Sequence, residues 1–431
     1  MDLPLFIIIL IIFILIIISF SIKDLDFVAI SLLGCFVAGF ITGIWKGLPF
    51  ETFISFINFQ AIIIIFSMSI ITKIAQDSNL LEYVAVKLFK LSRGNQRTFF
   101  WLLCIITTLL AAVISDVVVV LILAPIVIRL CHFLKIRAGT YLLGMTICIN
   151  IGSIITPFSS GENIIISTAF NIDTLYFIQY YWIFSFSLLF LTIFLIDRFI
   201  LSKEPKIDAQ QKRFVLDLID TDVMISNKTM FYINGFAIIT TIVLFVILPL
   251  LYLTAAISAF ILVIINRKFT KKEMSQLLKD MEWEIIFFLI SLYIVIGCLL
   301  VAGFQELIAQ LPFQTLDTFL LCLLILLVVS LLSGLVANTP TALIFIPIIE
   351  ALILLGFPPI PLLFAFIIGI NLGGNFVPQG AACDMMTLKI ARDSGVENFS
   401  YRRLLRTGST FALIHIAVSI GFLFILVLIF G

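Results

Sequence analysis

The sequence predicts an all-α polytopic membrane protein: two inverted-topology repeats, about ten transmembrane helices and two re-entrant helical hairpins with discontinuous helices. Three observations predict it: an apolar composition, two over-long apolar runs broken near their middles by polar residues, and text that repeats at a fixed spacing. Of 431 residues, 62% are hydrophobic and 12% charged, against about 25% charged in an ordinary soluble domain. Mean hydropathy is +1.26. About 20 apolar residues carry a helix across the hydrocarbon, where every backbone polar group has to be satisfied within the segment. Ile7 to Ile18 is almost unbroken Ile, Leu and Phe, which excludes the alternating strands of a membrane β-barrel.

Single spans are predicted near 5–22, 27–44, 60–78, 138–170, 174–198, 230–248, 250–266, 283–303, 361–388 and 407–430. The first run, Leu5 to Phe20, lacks the basic flank and cleavage site of a signal peptide and reads as a retained span. Runs 98–134 and 314–356 are too long for one span, and are interrupted by Ser115-Asp116 and by Asn338-Thr339-Pro340. Each half is about 18 residues, or about 27 Å of helix, so each run is either a re-entrant hairpin or two tightly joined spans. Segment 79–97 places basic residues among apolar ones at helical spacing and predicts a helix in the membrane interface. Segment 201–229, the longest polar stretch, reads as a cytoplasmic linker between a first repeat, 1–200, and a second, 230–431. The seven cysteines have no paired spacing, which disfavours a disulfide framework or a zinc site. A net charge of +1 gives no surface for nucleic acid.

The repeat is read from paired residues. Asp116 and Asn338, like Pro125 and Pro347, lie 222 apart; Asn150 and Asn371, Pro157 and Pro378, and Asn163 and Asp384 lie 221 apart. LILAPIVI answers LIFIPII, and NIGSIITP answers NLGGNFVP. Duplication with a large offset marks transporter folds. Lys and Arg favour cytoplasmic loops. The first broken run is flanked on both sides by basic residues, from Lys87 to Arg97 and from Arg129 to Arg137, whereas 304–316 and 356–361 around the second contain none. The first hairpin therefore opens to the cytoplasm and the second to the outside, with both termini outside. Lys46 is the exception, falling on the outer side.

Four polar breaks then converge on the midplane: Ser115-Asp116, Asn150 to Asn163 (including Gly152, Ser153 and Glu162), Ala337 to Thr341, and Asn371 to Asp384 (including Gly373 and Asn375). Gly152, Gly161, Gly373, Gly374 and Gly380 let backbone unwind and expose carbonyls, and Pro157, Pro340 and Pro378 remove helical bonds. Close helix packing explains a single such break equally well, but four paired by the repeat favour a binding site. A charge within the membrane costs about 2.5–3.5 kcal/mol even on lenient scales. Asp116, Glu162 and Asp384 carry that cost, and no Lys or Arg stands at any break. An acidic core without fixed counter-charge points to a transported cation or proton, with Asp116 first among its ligands. His415, inside the last span, reads as a packing residue.

These residues resemble the ion transporter superfamily, particularly its arsenical-pump and NhaD-type sodium/proton antiporter branch with the citrate-transporter-like domain. The resemblance covers text from about 59 to 170 (the SDVVVVLILAPI hairpin, then NIGSIITPFSSGENIII) and from about 282 to 395 (ANTPTALIFIPI, then NLGGNFVPQGAACDMM). It implies two symmetry-related sites for coupling ion and solute. One is carried by Ser115, Asp116, Asn150, Gly152 and Asn163, the other by Asn338, Thr339, Asn371, Gly373, Asn375 and Asp384. Asp116, Asn150, Asn338 and Asn371 are the expected sodium ligands. The first tip reads Ser-Asp-Val where the branch commonly has Asp-Asn, and Cys383-Asp384 stands where Ala-Asn is usual.

The expected function is secondary active transport by alternating access: an arsenite or inorganic-anion permease coupled to H+ or Na+. The alternatives are a sodium/proton antiporter and a sodium-coupled di- or tricarboxylate symporter of the citrate type. An intramembrane enzyme would need a nucleophile with its base, or a metal cluster, and no His lies near the acids; a channel is the other different class. The expected setting is a multi-pass plasma-membrane protein, without cofactor beyond the coupling ion. Its expected partners are lipid, a small ion or anion, and a homodimer mate or pump ATPase.

Overall fold

A computed structural model describes residues 2–22, 25–205, 225, 227–270, 273–279 and 281–431. The linker expected at 201–229 lies largely outside them. In the first half, α1 (Leu3–Ser21) and α2 (Phe27–Lys46) form an antiparallel pair, followed by the short α3 (Phe50–Ser55) and the span α4 (Phe59–Asp77). Then come α5 (Leu80–Leu91), the hairpin α6 (Gln96–Ala111) and α7 (Asp116–Phe133), the broken span α8 (Gly139–Gly152) and α9 (Gly161–Phe170), and α10 (Thr174–Tyr180) with α11 (Trp182–Phe199). The second half repeats the order: α12 (Lys228–Ile247), α13 (Leu251–Thr270), α14 (Met274–Lys279), α15 (Trp283–Val301) and α16 (Phe304–Gln310). The hairpin α17 (Thr318–Val336) and α18 (Asn338–Leu354) follows, then the broken span α19 (Pro359–Gly373) and α20 (Ala382–Asp393), and finally α21 (Tyr401–Phe430).

Among the described residues ten helices are long and apolar enough to cross a membrane. Eight match predicted spans. The other two, α7 and α17, are arms of the hairpins, because the predicted spans 138–170 and 361–388 are each divided into two shorter helices. The 174–198 span is interrupted at Tyr181. Polar caps set several of these boundaries. Asp26 accepts from the Ala29 N–H (3.0 Å), Asn58 from Ala61 (3.1 Å), Asn95 from Thr98 (3.1 Å) and Asp317 from Leu320 (2.8 Å), satisfying donors left open by the first helical turn.

Packing follows the repeat. α6 packs on α8 as α17 packs on α19; α2 on α15 as α13 on α4; and each hairpin's second arm crosses to the other half, α7 onto α20 and α18 onto α9. Every residue of α8 is buried, as is α19 from Pro361 to Gly373, so the broken spans form the centre of the molecule. The outer faces are apolar: Leu33, Phe36, Phe40 and Ile44 of α2 are all exposed, a stripe suited to lipid. α5 buries Leu81, Ala85, Leu88 and Phe89 and turns its lysines outward, as an interfacial helix does. Lys46, the exception to the charge rule, forms an ion pair with Asp2. That contact holds the Asp2 carboxyl below its ordinary range.

Candidate functional site

The two hairpin tips and the two broken spans meet in one place. At the first tip α6 ends, the chain turns over Ala112 to Ser115, and α7 begins at Asp116, whose carboxylate accepts from the Val117 N–H (2.8 Å). At the second tip Ala337 takes φ +122°, a region that costs a residue with a side chain about 1–3 kcal/mol, and α18 starts at Asn338. The Asn338 Nδ2 donates to Glu162 (2.9 Å), and its Oδ1 accepts from the Ser333 hydroxyl (2.6 Å). Glu162 stands in the first turn of α9, where an acidic side chain is favoured by the helix N-terminus. Glu162 and Cys383 are also 221 apart, so the repeat sets an acidic tip beside a thiol and an amide tip beside an acid.

Ser115, Asp116, Glu162, Asn338 and Thr339 line a cavity of about 470 Å³. The lining extends to Phe20 near the end of α1, Lys73 and Gln76 near the end of α4, and Met281 and Glu282 before α15. The remaining candidates form a second, buried layer. Asn371 donates to the Asn163 Oδ1 (2.9 Å) and to the Ile367 carbonyl (2.8 Å). Asn163 in turn donates to the carbonyls of Ser153 and Thr156. Asn150 donates to the Asn375 Oδ1 (2.8 Å) and accepts from the Cys383 thiol (3.2 Å), and Thr146 donates to Asp384 (2.5 Å). All these amides and Asp384 are nearly fully buried, and the Asn371 Oδ1 and Asn375 Nδ2 have no hydrogen-bond partner among the described residues. The four expected sodium ligands are divided by layer: Asp116 and Asn338 line the cavity, while Asn150 and Asn371 lie in the amide layer.

Two expectations need correcting. Gly152 and Gly373 do not unwind. Each ends a regular helix without a left-handed φ, and a Cβ there would stand 2.5 Å from the Thr108 carbonyl or 2.4 Å from the Ser330 carbonyl. Their smallness serves close approach. Nor is the site free of cationic side chains. Lys73 lines the cavity, the sole basic residue to do so among the described residues. It stands on a span without Gly or Pro, where no break in the apolar text marks it. Its spacing with Ser69, Thr72 and Gln76 is the signal that was there to find. His415 packs as expected, fully buried with its Nε2 2.8 Å from the Thr192 hydroxyl.

The sequence profile of the citrate transporter family (CitMHS) matches residues 8–328, more than half of the chain. The chain belongs to this family. The match takes in the first tip and the first broken span of this family member and ends before Asn338. A 46 kDa membrane protein of Mycobacterium leprae is 26% identical over 388 residues, covering 84% of this chain and 85% of its own. Two solved structures share the fold. The YdaH transporter of Alcanivorax borkumensis, described as having an unusual topology, has TM-score 0.62 at 13% identity, covering 88% of each chain. MtrF of Neisseria gonorrhoeae, described with a class of antimetabolite efflux pumps, has TM-score 0.63 at 11% identity, covering 91% of this chain and 85% of its own. The protein is thus a multi-pass membrane transporter.

Proposed function

We propose that this chain is a cation-coupled secondary transporter that carries a small carboxylate anion by alternating access in the plasma membrane, using H+ or Na+. The observation that carries the reading is the convergence of both hairpin tips and a half-helix start on one cavity, with Asp116 and Glu162 on its wall. Carboxylates and amide oxygens suit a cation, and exposed helix N-termini suit an anion. The buried Asn371 Oδ1, an acceptor with no partner among the described residues, fits a cation passing into the second layer. The cavity lining reaches the ends of α4 and α15 that adjoin basic segments, which supports a cytoplasm-facing state with both termini outside.

Arsenite, the soft solute considered first, gains no support from the cavity wall. No cysteine lines it, and Cys383 is fully buried against Asn150. The family match favours a carboxylate instead. The test is flux into proteoliposomes under an imposed Na+ or H+ gradient, with labelled citrate, succinate and arsenite. Uphill accumulation of a carboxylate is expected; downhill conductance alone, or movement of arsenite alone, would sink the reading. Asp116→Asn is expected to abolish the dependence on the cation gradient, and unchanged coupling would refute its role.

A further inference from the structure

A second cavity, a groove of about 440 Å³, runs between the antiparallel helices α12 and α13. Its floor is formed by the buried side chains of Thr241, Ser258 and Leu262, and its rims by the exposed Tyr232, Phe236 and Ile261. Along α12 it reaches from Tyr232 to Leu244, about 18 Å at 1.5 Å per residue, which is close to one leaflet of a hydrocarbon core about 30 Å thick. Of the three aliphatic hydroxyls on its wall, those of Thr240 and Thr241 donate to the Phe236 and Ala237 carbonyls of their own helix (both 2.9 Å). They offer no hydrogen to an occupant, so the wall suits an alkyl chain better than a polar solute. In the matching pair of the first half the space is filled by a side chain: Ile16 lies over Gly34, where a Cβ would stand 2.8 Å from the Ile16 Cδ1.

The two ends of the groove differ in charge. On α13 the wall residues Ser258, Ile261, Leu262 and Ile265 recur at the spacing of one helix face, and the next position on that face is Lys268. Lys268 and its neighbour Arg267 are exposed. Arg267 comes no nearer than 4.0 Å to Glu273, and Lys268 has no hydrogen bond or ion pair among the described residues. Tyr232 stands at the same end, where an amphipathic ring suits the headgroup level. At the opposite end, beyond Leu244 and Ser258, residues 247–253 carry no charge. On the orientation proposed above, the basic end lies in the cytoplasmic leaflet, whose anionic lipids are attracted by Lys and Arg near the surface.

We infer that this groove is a binding site for one anionic phospholipid of the cytoplasmic leaflet: an acyl chain lies between α12 and α13, and the headgroup phosphate meets Lys268 and Arg267. A second copy of this chain, related by an axis along the membrane normal, would instead bring like charges together at the same depth. The lipid braces the helix pair beside the buried Asn234 and Asn266, and Asn234 also donates to Ser78 at the end of α4, so the site adjoins a wall of the transport cavity.

The experiment uses the full chain, purified in detergent and exposed to mixtures of phosphatidylglycerol and phosphatidylcholine with matched acyl chains; the lipid that stays bound is identified by native mass spectrometry. The wild type is expected to prefer phosphatidylglycerol about tenfold or more. Replacing Arg267→Gln and Lys268→Gln together should bring the two lipids to parity. Thr240→Phe, at an exposed wall position, fills the groove and should remove retained lipid of either kind. An unchanged preference in the double variant, or undiminished retention in Thr240→Phe, overturns the inference; if Thr240→Phe does not accumulate, the double variant decides alone. Millimolar inorganic phosphate should leave the bound lipid in place, and its displacement would assign the basic end to a free anion and overturn the lipid assignment. Cross-linking of two chains through Thr240→Cys in native membranes would show the groove covered by a second copy, which overturns it as well.

Discussion

Asn338 uses both ends of its amide, its Nδ2 donating a hydrogen bond to Glu162 across the two halves and its Oδ1 accepting one from the Ser333 hydroxyl. Holding the amide there requires the residue before it to turn sharply, and Ala337 does so at φ +122°. Glycine adopts that region without a Cβ penalty. Ala337→Gly is therefore expected to stabilise the protein by about 1 kcal/mol, read as a rise in the thermal unfolding midpoint in detergent. No change, or a fall, would mean that the alanine conformation carries no strain. The counterpart of Ala337 at the 222 offset is Ser115, whose φ of −45° is ordinary, so Ser115→Gly should show no such gain.

At the scale of helices, two kinds of contact hold the bundle. Gly152 against the Thr108 carbonyl and Gly373 against the Ser330 carbonyl bring backbones together where no side chain fits. Valine at either position forces α8 off α6 or α19 off α17, at a cost of about 1–3 kcal/mol. Gly152→Val and Gly373→Val should lower the midpoint to similar extents, and a loss confined to one would break the equivalence of the halves. The second contact is a reciprocal amide pair. Asn234 donates to Asn266 (2.6 Å) and receives a hydrogen bond back (2.7 Å), both nearly fully buried between α12 and α13. Replacing one by Leu leaves the Oδ1 of the other without its donor, costing about 1–3 kcal/mol, whereas replacing both is expected to recover most of that loss. Additive losses in this double-mutant cycle would show that the two amides act separately.

For the whole molecule, orientation is the property most open to test. All seven native cysteines are buried, so single added thiols can be labelled over a quiet background. Gln76→Cys is expected to react with a membrane-impermeant maleimide from the cytoplasmic side only, and Lys46→Cys from the outer side only; the opposite pattern would invert the assignment. The architecture was legible because Ser-Asp at 115–116, and Gly, Pro and Asn at Asn338 to Pro340 and in the two NxG segments, punctuate apolar text, and the repeat showed which punctuation belonged together. Partner choice was not. Thr146 meeting Asp384, and Asn150 meeting Asn375, depend on how α8 crosses into the other half, which periodicity along one helix does not encode. The division of the candidates between cavity and amide layer was hidden for the same reason. Lys73 was hidden differently, as a charge near the end of an uninterrupted span that looks like an interfacial anchor until a neighbouring cavity gives it another surface to face.

The glycine contacts also decide which motions remain. Backbone against backbone leaves no compliance for sliding, so α6 is bound to α8, and α17 to α19, as rigid pairs. Neither hairpin can swing open alone as a flap. On the alternating-access reading proposed above, exchange of access is left to the seams where α7 meets α20 and α18 meets α9, and those seams hold Asp116 and Glu162. On that reading the bodies that move and the charges that respond share the same two seams, so a coupling ion acts there as a mechanical input and not merely as cargo.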